Sequence, residues 1–258
     1  MRNGFIKLLA GMVGLLIACP SWAAHPLITD DTGTQGKGKF QLELNGQYDW
    51  DEDDEDLTVK STGGQASATL SYGVAENVDL VLSLPYIWGK AEVNEETVYD
   101  EKGFGDVTLE TKLRLLEKNG FSLAIKPGIS FPTGNEEKGL GAGLVGGHIF
   151  LIASQELGEW AFHGNFGYIR NENNVDERRD LWHASFAATW EVIKNLKLAA
   201  NAGIEKNPDE DANNDPAFLV GGVIYSIKEN IDVDCGVKFG LSKSETDISA
   251  LAGMTFRF

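Results

Sequence analysis

The side chains of this chain that could do chemistry are few in kind. Four histidines, His25, His148, His163 and His183, have the type for proton transfer or metal binding. His163 and His183 fall on neighbouring predicted strands, but no serine or cysteine stands at a recognisable nucleophile spacing to either. The glycine-rich stretch Gly139–Gly147 is not followed by a helical pattern, so it does not read as a phosphate loop. Asp209, Asp211, Asn213 and Asp215 have the alternate spacing of a calcium loop. Asn214 stands where that loop needs its turn glycine, and Val220 cannot supply the closing bidentate carboxylate. They are therefore a weak calcium candidate, and no other metal and no cofactor is expected. The remaining chemistry is charge. It occurs as an acidic run, Asp51-Glu52-Asp53-Asp54-Glu55-Asp56, and as single charges at every second position of long segments.

That alternation points to the elements. Phe40, Leu42, Leu44, Tyr48 and Trp50 interleave with Lys39, Gln41, Glu43, Asn45, Gln47 and Asp49, giving one apolar and one polar face. A period of two is the mark of a β-strand. About twelve such segments occur, near 38–50, 62–73, 77–88, 104–116, 121–132, 144–157, 160–170, 181–192, 196–206, 216–227, 231–242 and 248–258. Most are longer than the roughly 5–6 residues of an ordinary soluble strand and suit the about 9–11 of a tilted membrane strand. Short connections such as Gly73–Asn77, Glu117–Gly120, Gly158–Glu159, Lys194–Asn195 and Lys228–Asn230 alternate with mostly longer, often charged ones. The latter are Asp51–Asp56, Gly89–Gly103, Thr133–Gly143, Asn171–Asp180, Asn207–Asp215 and Lys243–Asp247. Short turns on one side and long loops on the other is the outer-membrane pattern, with both ends periplasmic.

Aromatics gather near strand ends, as girdle residues should: Trp50, Tyr72, Tyr86, Trp88, Trp160, Phe162, Tyr168, Trp182, Trp190, Phe256 and Phe258. A soluble β-protein that buries them is the competing reading. The last strand separates the two. Ile248, Ala250, Ala252, Met254, Phe256 and Phe258 form one apolar face, with Leu251 out of register. A terminal aromatic on such a strand resembles the signal read by the barrel-assembly machinery, carried here by Met254, Phe256 and Phe258.

The N-terminus reads as a cleaved signal peptide, residues 1–23. Arg2 and Lys7 form a basic start, Leu8–Ala18 a short apolar core, and Ser21-Trp22-Ala23 a small-residue cleavage site. Leu16-Ile17-Ala18-Cys19 also fits a lipobox, the alternative in which Cys19 is lipidated. Without the leader, 20 of the 22 basic residues remain against 39 acids, which excludes nucleic acid as a partner and argues against a basic lipid-binding patch. Cys235 is then the sole cysteine, so no intramolecular disulfide forms. The expected fold is all-β: an antiparallel transmembrane barrel over residues 38–258, preceded by a periplasmic segment 24–37 that is long enough to enter the lumen as a plug.

In lipid the sheet must close and its polar face must turn inward. A lysine or arginine on the lipid side at midplane costs about 2–4 kcal/mol, so strand parity decides which charges line the lumen. The candidates are Lys39, Glu43, Asp106, Glu110, Lys112, Arg114, Lys126, His163, His183, Glu191, Lys197, Glu205, Asp232, Asp234, Lys238 and Arg257, together with Asp49 and Asp79. They either line a water-filled path or pair across strands and fill it. The plug candidates are Asp30 and Asp31, positioned to meet Lys112, Arg114 or Lys126.

Three stretches resemble one family. His25-Pro-Leu-Ile-Thr-Asp-Asp-Thr-Gly-Thr-Gln-Gly36 leads into the first strand. Tyr72-Gly-Val-Ala-Glu-Asn-Val-Asp-Leu-Val-Leu-Ser-Leu-Pro-Tyr86 follows, then Gly103-Phe-Gly-Asp-Val-Thr-Leu-Glu-Thr-Lys-Leu-Arg114 with Phe131-Pro-Thr-Gly134. Together they resemble the outer-membrane transporters named for a "MetA-pathway of phenol degradation". The resemblance spans most of the mature chain, and beyond residue 145 the barrel pattern alone carries it. It implies an outer-membrane barrel of a Gram-negative bacterium passing small solutes, aromatic ones included, and no catalytic residues. The first functional reading is thus a passive channel for small solutes, hydrophobic or aromatic ones included. The second is a structural or anchoring barrel without transport, and the third a barrel enzyme. Expected partners are outer-membrane lipid and lipopolysaccharide, the assembly machinery and a small-molecule solute.

Overall fold

The computed structural model describes residues 25–53 and 58–258. The leader, its cleavage site, Cys19 and Asp54–Asp56 lie outside the described residues. Strands β1 (Phe40–Asp53), β2 (Val59–Ala75) and β3 (Val78–Val93) open the sheet, and β4 (Glu96–Phe104) folds back on β3. There follow β5 (Val107–Lys118), β6 (Phe121–Phe131), β7 (Gly146–Leu157), β8 (Trp160–Arg170) and β9 (Asp180–Ile193). The last four are β10 (Leu196–Glu205), β11 (Ala217–Lys228), β12 (Ile231–Gly240) and β13 (Ile248–Arg257). All pairings are antiparallel, and β13 pairs with β1 from Gln41↔Arg257 to Trp50↔Ile248, which closes the wall. Closure leaves no unpaired edge for lipid to meet.

Twelve strands form the barrel. The thirteenth, β4, pairs with the upper part of β3 and stands outside it. The stretch Gly89–Gly103, read above as a loop, is therefore mostly a hairpin turning at Asn94-Glu95, both at positive φ. Its charges obscured it: a hairpin in water can carry Lys90, Glu92, Asp100 and Lys102 without an apolar face. At the opposite end every connection is tight. Asn119-Gly120 has φ of 54° and 79°, the mirror-image turn that matches strand twist.

The wall is inside out relative to a soluble protein. Leu82, Leu151 and Phe166 are 45%, 47% and 59% exposed, whereas Lys126 is 2% exposed. A water-soluble β-protein would reverse those values, so the apolar face is the lipid face and the soluble reading is set aside. Aromatics mark both rims: Phe40 with Tyr72 and Trp160 with Trp190 at the short-turn end, Tyr48 with Trp50 at the long-loop end. Trp160 and Trp190 stack with ring centroids 5.3 Å apart.

Candidate functional site

Residues 25–39 do not trail away from the barrel; they run through it. Gly38 and Gly73 are tied backbone to backbone at the short-turn rim. From there the Gln35 N–H donates to Asp79 of β3, and Thr32 donates from its N–H to Ser154 of β7 and meets Ser122 of β6 through its hydroxyl. Asp30 is 1% exposed and is gripped by two ammoniums, Lys112 Nζ at 2.7 Å and Lys126 Nζ at 2.8 Å. Asn201 of β10 accepts the N–H groups of Ile28 and Thr29. His25 ends the run against Asp234 of β12.

Apolar contacts seat the same segment. Leu27 packs with Ala187, Ala199 and Ile224. Ile28 packs against Phe218, Val220 and Leu251, so the odd register of Leu251 puts it into the lumen beside this segment. Pro26 lies where a Cβ on Gly222 or Gly236 would come within 2.5 or 2.9 Å of its ring, so only glycine leaves it room.

The ion pairs join into a partition. Lys126 also reaches Glu110 at 3.3 Å, and Glu110 accepts from or donates to His148 Nε2 at 2.8 Å. An inner chamber of about 350 Å³, its open side included, lies on one side, lined by Asp30, Glu43, Asp79, Glu110, Lys112 and Lys126 among others. On the other side a vestibule of about 710 Å³, its open mouth included, is lined by Leu144, His148, Ile169, Leu181 and Trp182 with Arg170, Glu172, Glu177, Glu205 and Lys206. Glu110 faces the chamber and His148 the vestibule, so their bond is part of the floor between them. Phe150 fills the gap between His148 and His183, edge-on to both.

The other predicted lumen charges are mostly paired. Asp232 binds Arg257 at 2.7 Å, Lys238 binds Glu245 at 2.8 Å, and His183 meets Glu205 at 3.2 Å. His163 shares a hydrogen bond of 2.9 Å with Ser154. Arg114 sits at the rim with Glu117 and the Glu76 carbonyl rather than with Asp30. Asp31 lies 3.9 Å from Lys112 and is half open to water. Lys39 and Lys197 are exposed at the short-turn end, and Glu191 accepts the turn N–H of Asn195. Asp106 is an anchor: its two oxygens take the N–H groups of Gly134 and Ala142 and draw the 132–145 connection over the mouth. Asp215 binds Lys206 and Asp209 caps Asp211, and among the described residues no cluster suited to a metal occurs. Phe258 exchanges both backbone hydrogen bonds with Phe40, completing the β1–β13 seam. Met254 and Phe258 face outward there.

Sequence reasoning missed Asn201, Ser154, Ser122 and the inward role of His148. Asn201 carried a signal, as a polar residue alone in Leu198–Ala202.

A closed, lipid-facing antiparallel wall with a polar, charge-paired interior defines an outer-membrane β-barrel. The chain belongs to the family described as "Putative MetA-pathway of phenol degradation", whose profile matches residues 64–258. That match begins inside β2, so it does not take in residues 25–36. Among solved structures, an outer membrane channel from Pseudomonas putida F1 is 15% identical with a TM-score of 0.69, over 88% of this chain and 98% of that one. The translocator domain of the autotransporter NalP from Neisseria meningitidis is 12% identical with a TM-score of 0.60, over 99% and 98%. The CymD monoaromatic hydrocarbon channel is 10% identical with a TM-score of 0.50, over 86% and 88%. At such identities the likeness is one of fold. No curated protein sequence matches the chain.

Proposed function

We propose that this protein is a passive channel for small solutes, hydrophobic or aromatic ones included, and that residues 25–39 hold it shut until they leave the lumen. The observation that carries the reading is the grip of Lys112 and Lys126 on Asp30 at the floor of an otherwise open vestibule. A twelve-strand barrel falls between small filled barrels and wide porins, so one chain segment is enough to close it. The solute class rests on the vestibule wall. Leu144, Ile169, Leu181 and Trp182 offer apolar surface, while His148, Glu205 and Lys206 offer hydrogen bonds, a lining suited to small molecules with an apolar body and a polar group. The fold shared with a monoaromatic hydrocarbon channel agrees with that class and does not by itself assign it. The histidines have structural work in this reading, each tied to a wall or segment residue, and no catalytic role is assigned.

The charge pairs also favour a second reading, a barrel that never opens and serves as a membrane anchor. In either case the outer apolar band faces lipid, the acidic loops share divalent cations with lipopolysaccharide phosphates, and the β13 end meets the assembly machinery. Deleting residues 25–36 separates the readings. The channel reading expects the deleted form to conduct in planar bilayers and to admit small aromatic solutes into liposomes faster than the full chain. Unchanged conductance and uptake from a barrel that still shows heat-modifiable gel migration would remove the channel reading.

A further inference from the structure

The vestibule carries unmatched negative charge. Four carboxylates line it, those of Asp106, Glu172, Glu177 and Glu205, against two cationic side chains, Arg170 and Lys206. Both cations are already bonded to acids. Arg170 binds Glu172 at 2.6 Å and Asp180 at 2.8 Å, and Lys206 binds Asp215 at 2.8 Å. The other three carboxylates have neutral donors or a histidine instead. Asp106 accepts two backbone N–H groups, Glu177 the Asn171 amide, and Glu205 the His183 ring.

Glu205 differs from the rest in its place. Asp106, Glu172 and Glu177 lie in connections, whereas Glu205 stands on the barrel strand β10. Its Oε2 meets His183 Nδ1 at 3.2 Å, and its Oε1 takes no hydrogen bond from any described residue. The side chain keeps 20% of its surface open. A partly buried carboxylate with a free oxygen on a cavity is a ready acceptor for a charged donor. The register places apolar surface beside it. Glu205 lies opposite His183, so Leu181, two residues away on the same inward face, is its diagonal neighbour across the strands, at roughly 7–8 Å. Ile169 lies opposite Leu181 on β8 and extends that surface.

We propose that the vestibule selects small organic cations, protonated amines whose ammonium bonds Glu205 Oε1 while an apolar body lies on Leu181 and Ile169. This rests on the vestibule being the solute's site and adds the sign of the solute's charge. A carboxylate or phenolate entering it would meet Asp106, Glu177 and Glu205, with both cations held by other acids. A neutral solute gains the apolar contact without the charged one. The acids also raise the local concentration of cations at the mouth. They do not converge on one point, and among the described residues no group suited to a metal ion occurs, so the cation that fits is one with an apolar body.

The test measures binding to the full-length protein in detergent by isothermal titration calorimetry at neutral pH, which requires no opening of the lumen. The probes are phenethylammonium, neutral phenethyl alcohol and anionic phenylacetate, which share a ring and differ in charge. Phenethylammonium should bind roughly tenfold or more tighter than the alcohol, the scale of one charge-assisted hydrogen bond, and phenylacetate should bind more weakly than either. Glu205→Gln should bring the amine down to the level of the alcohol, with heat-modifiable migration checking assembly. Equal affinity for amine and alcohol, tighter binding of phenylacetate, or no binding of any probe overturns the proposal on the unmodified chain, whatever becomes of the variant. So does an assembled variant that keeps the preference for the amine. The channel reading fails differently, by a 25–36 deletion that conducts no more than the full chain, and amine binding is measured independently of that outcome.

Discussion

Replacing Asp30 with Asn tests the seat of the N-terminal segment with almost no change of shape. Asp30 is 1% exposed and bonds both Lys112 Nζ and Lys126 Nζ below 3 Å, at 2.7 and 2.8 Å. With the carboxylate gone, closing the lumen buries two ammoniums against a neutral amide. Lys126 keeps Glu110 at 3.3 Å and Lys112 keeps the more distant Asp31 at 3.9 Å. Removing one partner of a buried pair costs about 3–5 kcal/mol, and the remaining acids put this case near the lower end. About 3 kcal/mol corresponds to roughly a hundredfold change in the ratio of closed to open forms. The penalty falls on the closed state, because lumen water solvates both lysines once the segment has left. Single-channel recording should therefore show open probability rising by about two powers of ten. Adding Lys112→Met, which removes the more stranded of the two charges, should bring much of the closure back. An Asp30→Asn barrel that assembles normally and opens no more often than the parent would refute the claim that this ion cluster holds the segment.

Three further outcomes follow from the same contacts. Leu27→Ala removes the apolar anchor against Ala187, Ala199 and Ile224; truncations of this kind cost about 2–5 kcal/mol. That loss should appear as more frequent opening, with the temperature of gel heat-modification unchanged, since the wall itself is intact. Asp106→Ala removes the acceptor for the Gly134 and Ala142 N–H groups, at about 1.5–3 kcal/mol per charged bond, and limited proteolysis should cut faster within residues 135–143. Glu177, in the loop between β8 and β9, has its carboxyl raised above the ordinary 4.5, chiefly by burial, against the Asn171 amide that lowers it. The packed loop then holds its proton more tightly than the loosened loop. Its packing is strongest below 4.5 and weakens as pH climbs through the raised value. Hydrogen-exchange protection across residues 171–180 should fall over that interval, and Glu177→Gln should flatten the change.

The wall was legible because two constraints act on every residue of it. Parity assigns each side chain to lipid or lumen, and the cost of a charge in lipid makes errors of parity rare. Twelve alternating segments therefore translate into twelve barrel strands, and the β3–β4 hairpin escaped because no lipid acts on it. The lumen obeys a weaker rule. Asp30 could be matched with Lys112, Arg114 or Lys126 on paper. The stagger between neighbouring strands sets their heights in the barrel, and it brings Lys112 and Lys126 level with Asp30 while leaving Arg114 at the rim with Glu117. Alternation along a strand carries no information about that stagger.

The apolar residues that point inward carried information of a different kind. β7 and β11 are apolar on both faces, through His148-Ile-Phe-Leu-Ile152 and Phe218-Leu-Val220, and Leu251 breaks the pattern of β13. Parity alone treats them as noise. A barrel lumen filled with water gives no reason to bury Phe150, Phe218, Val220, Ile224 and Leu251 on its inner face, so such positions call for a cover. Leu27 and Ile28 supply that cover for Ile224, Phe218, Val220 and Leu251, and they are themselves apolar residues in a short stretch that precedes the first strand. Apolar side chains in the inward register, together with an apolar pair ahead of the barrel, are two halves of one contact. The acids Asp30 and Asp31 beside that pair then mark where it meets the lumen lysines. The same reasoning explains the other side of the barrel: β1 has polar residues at every inward position from Gln41 to Asp49, so it offers that segment no apolar seat.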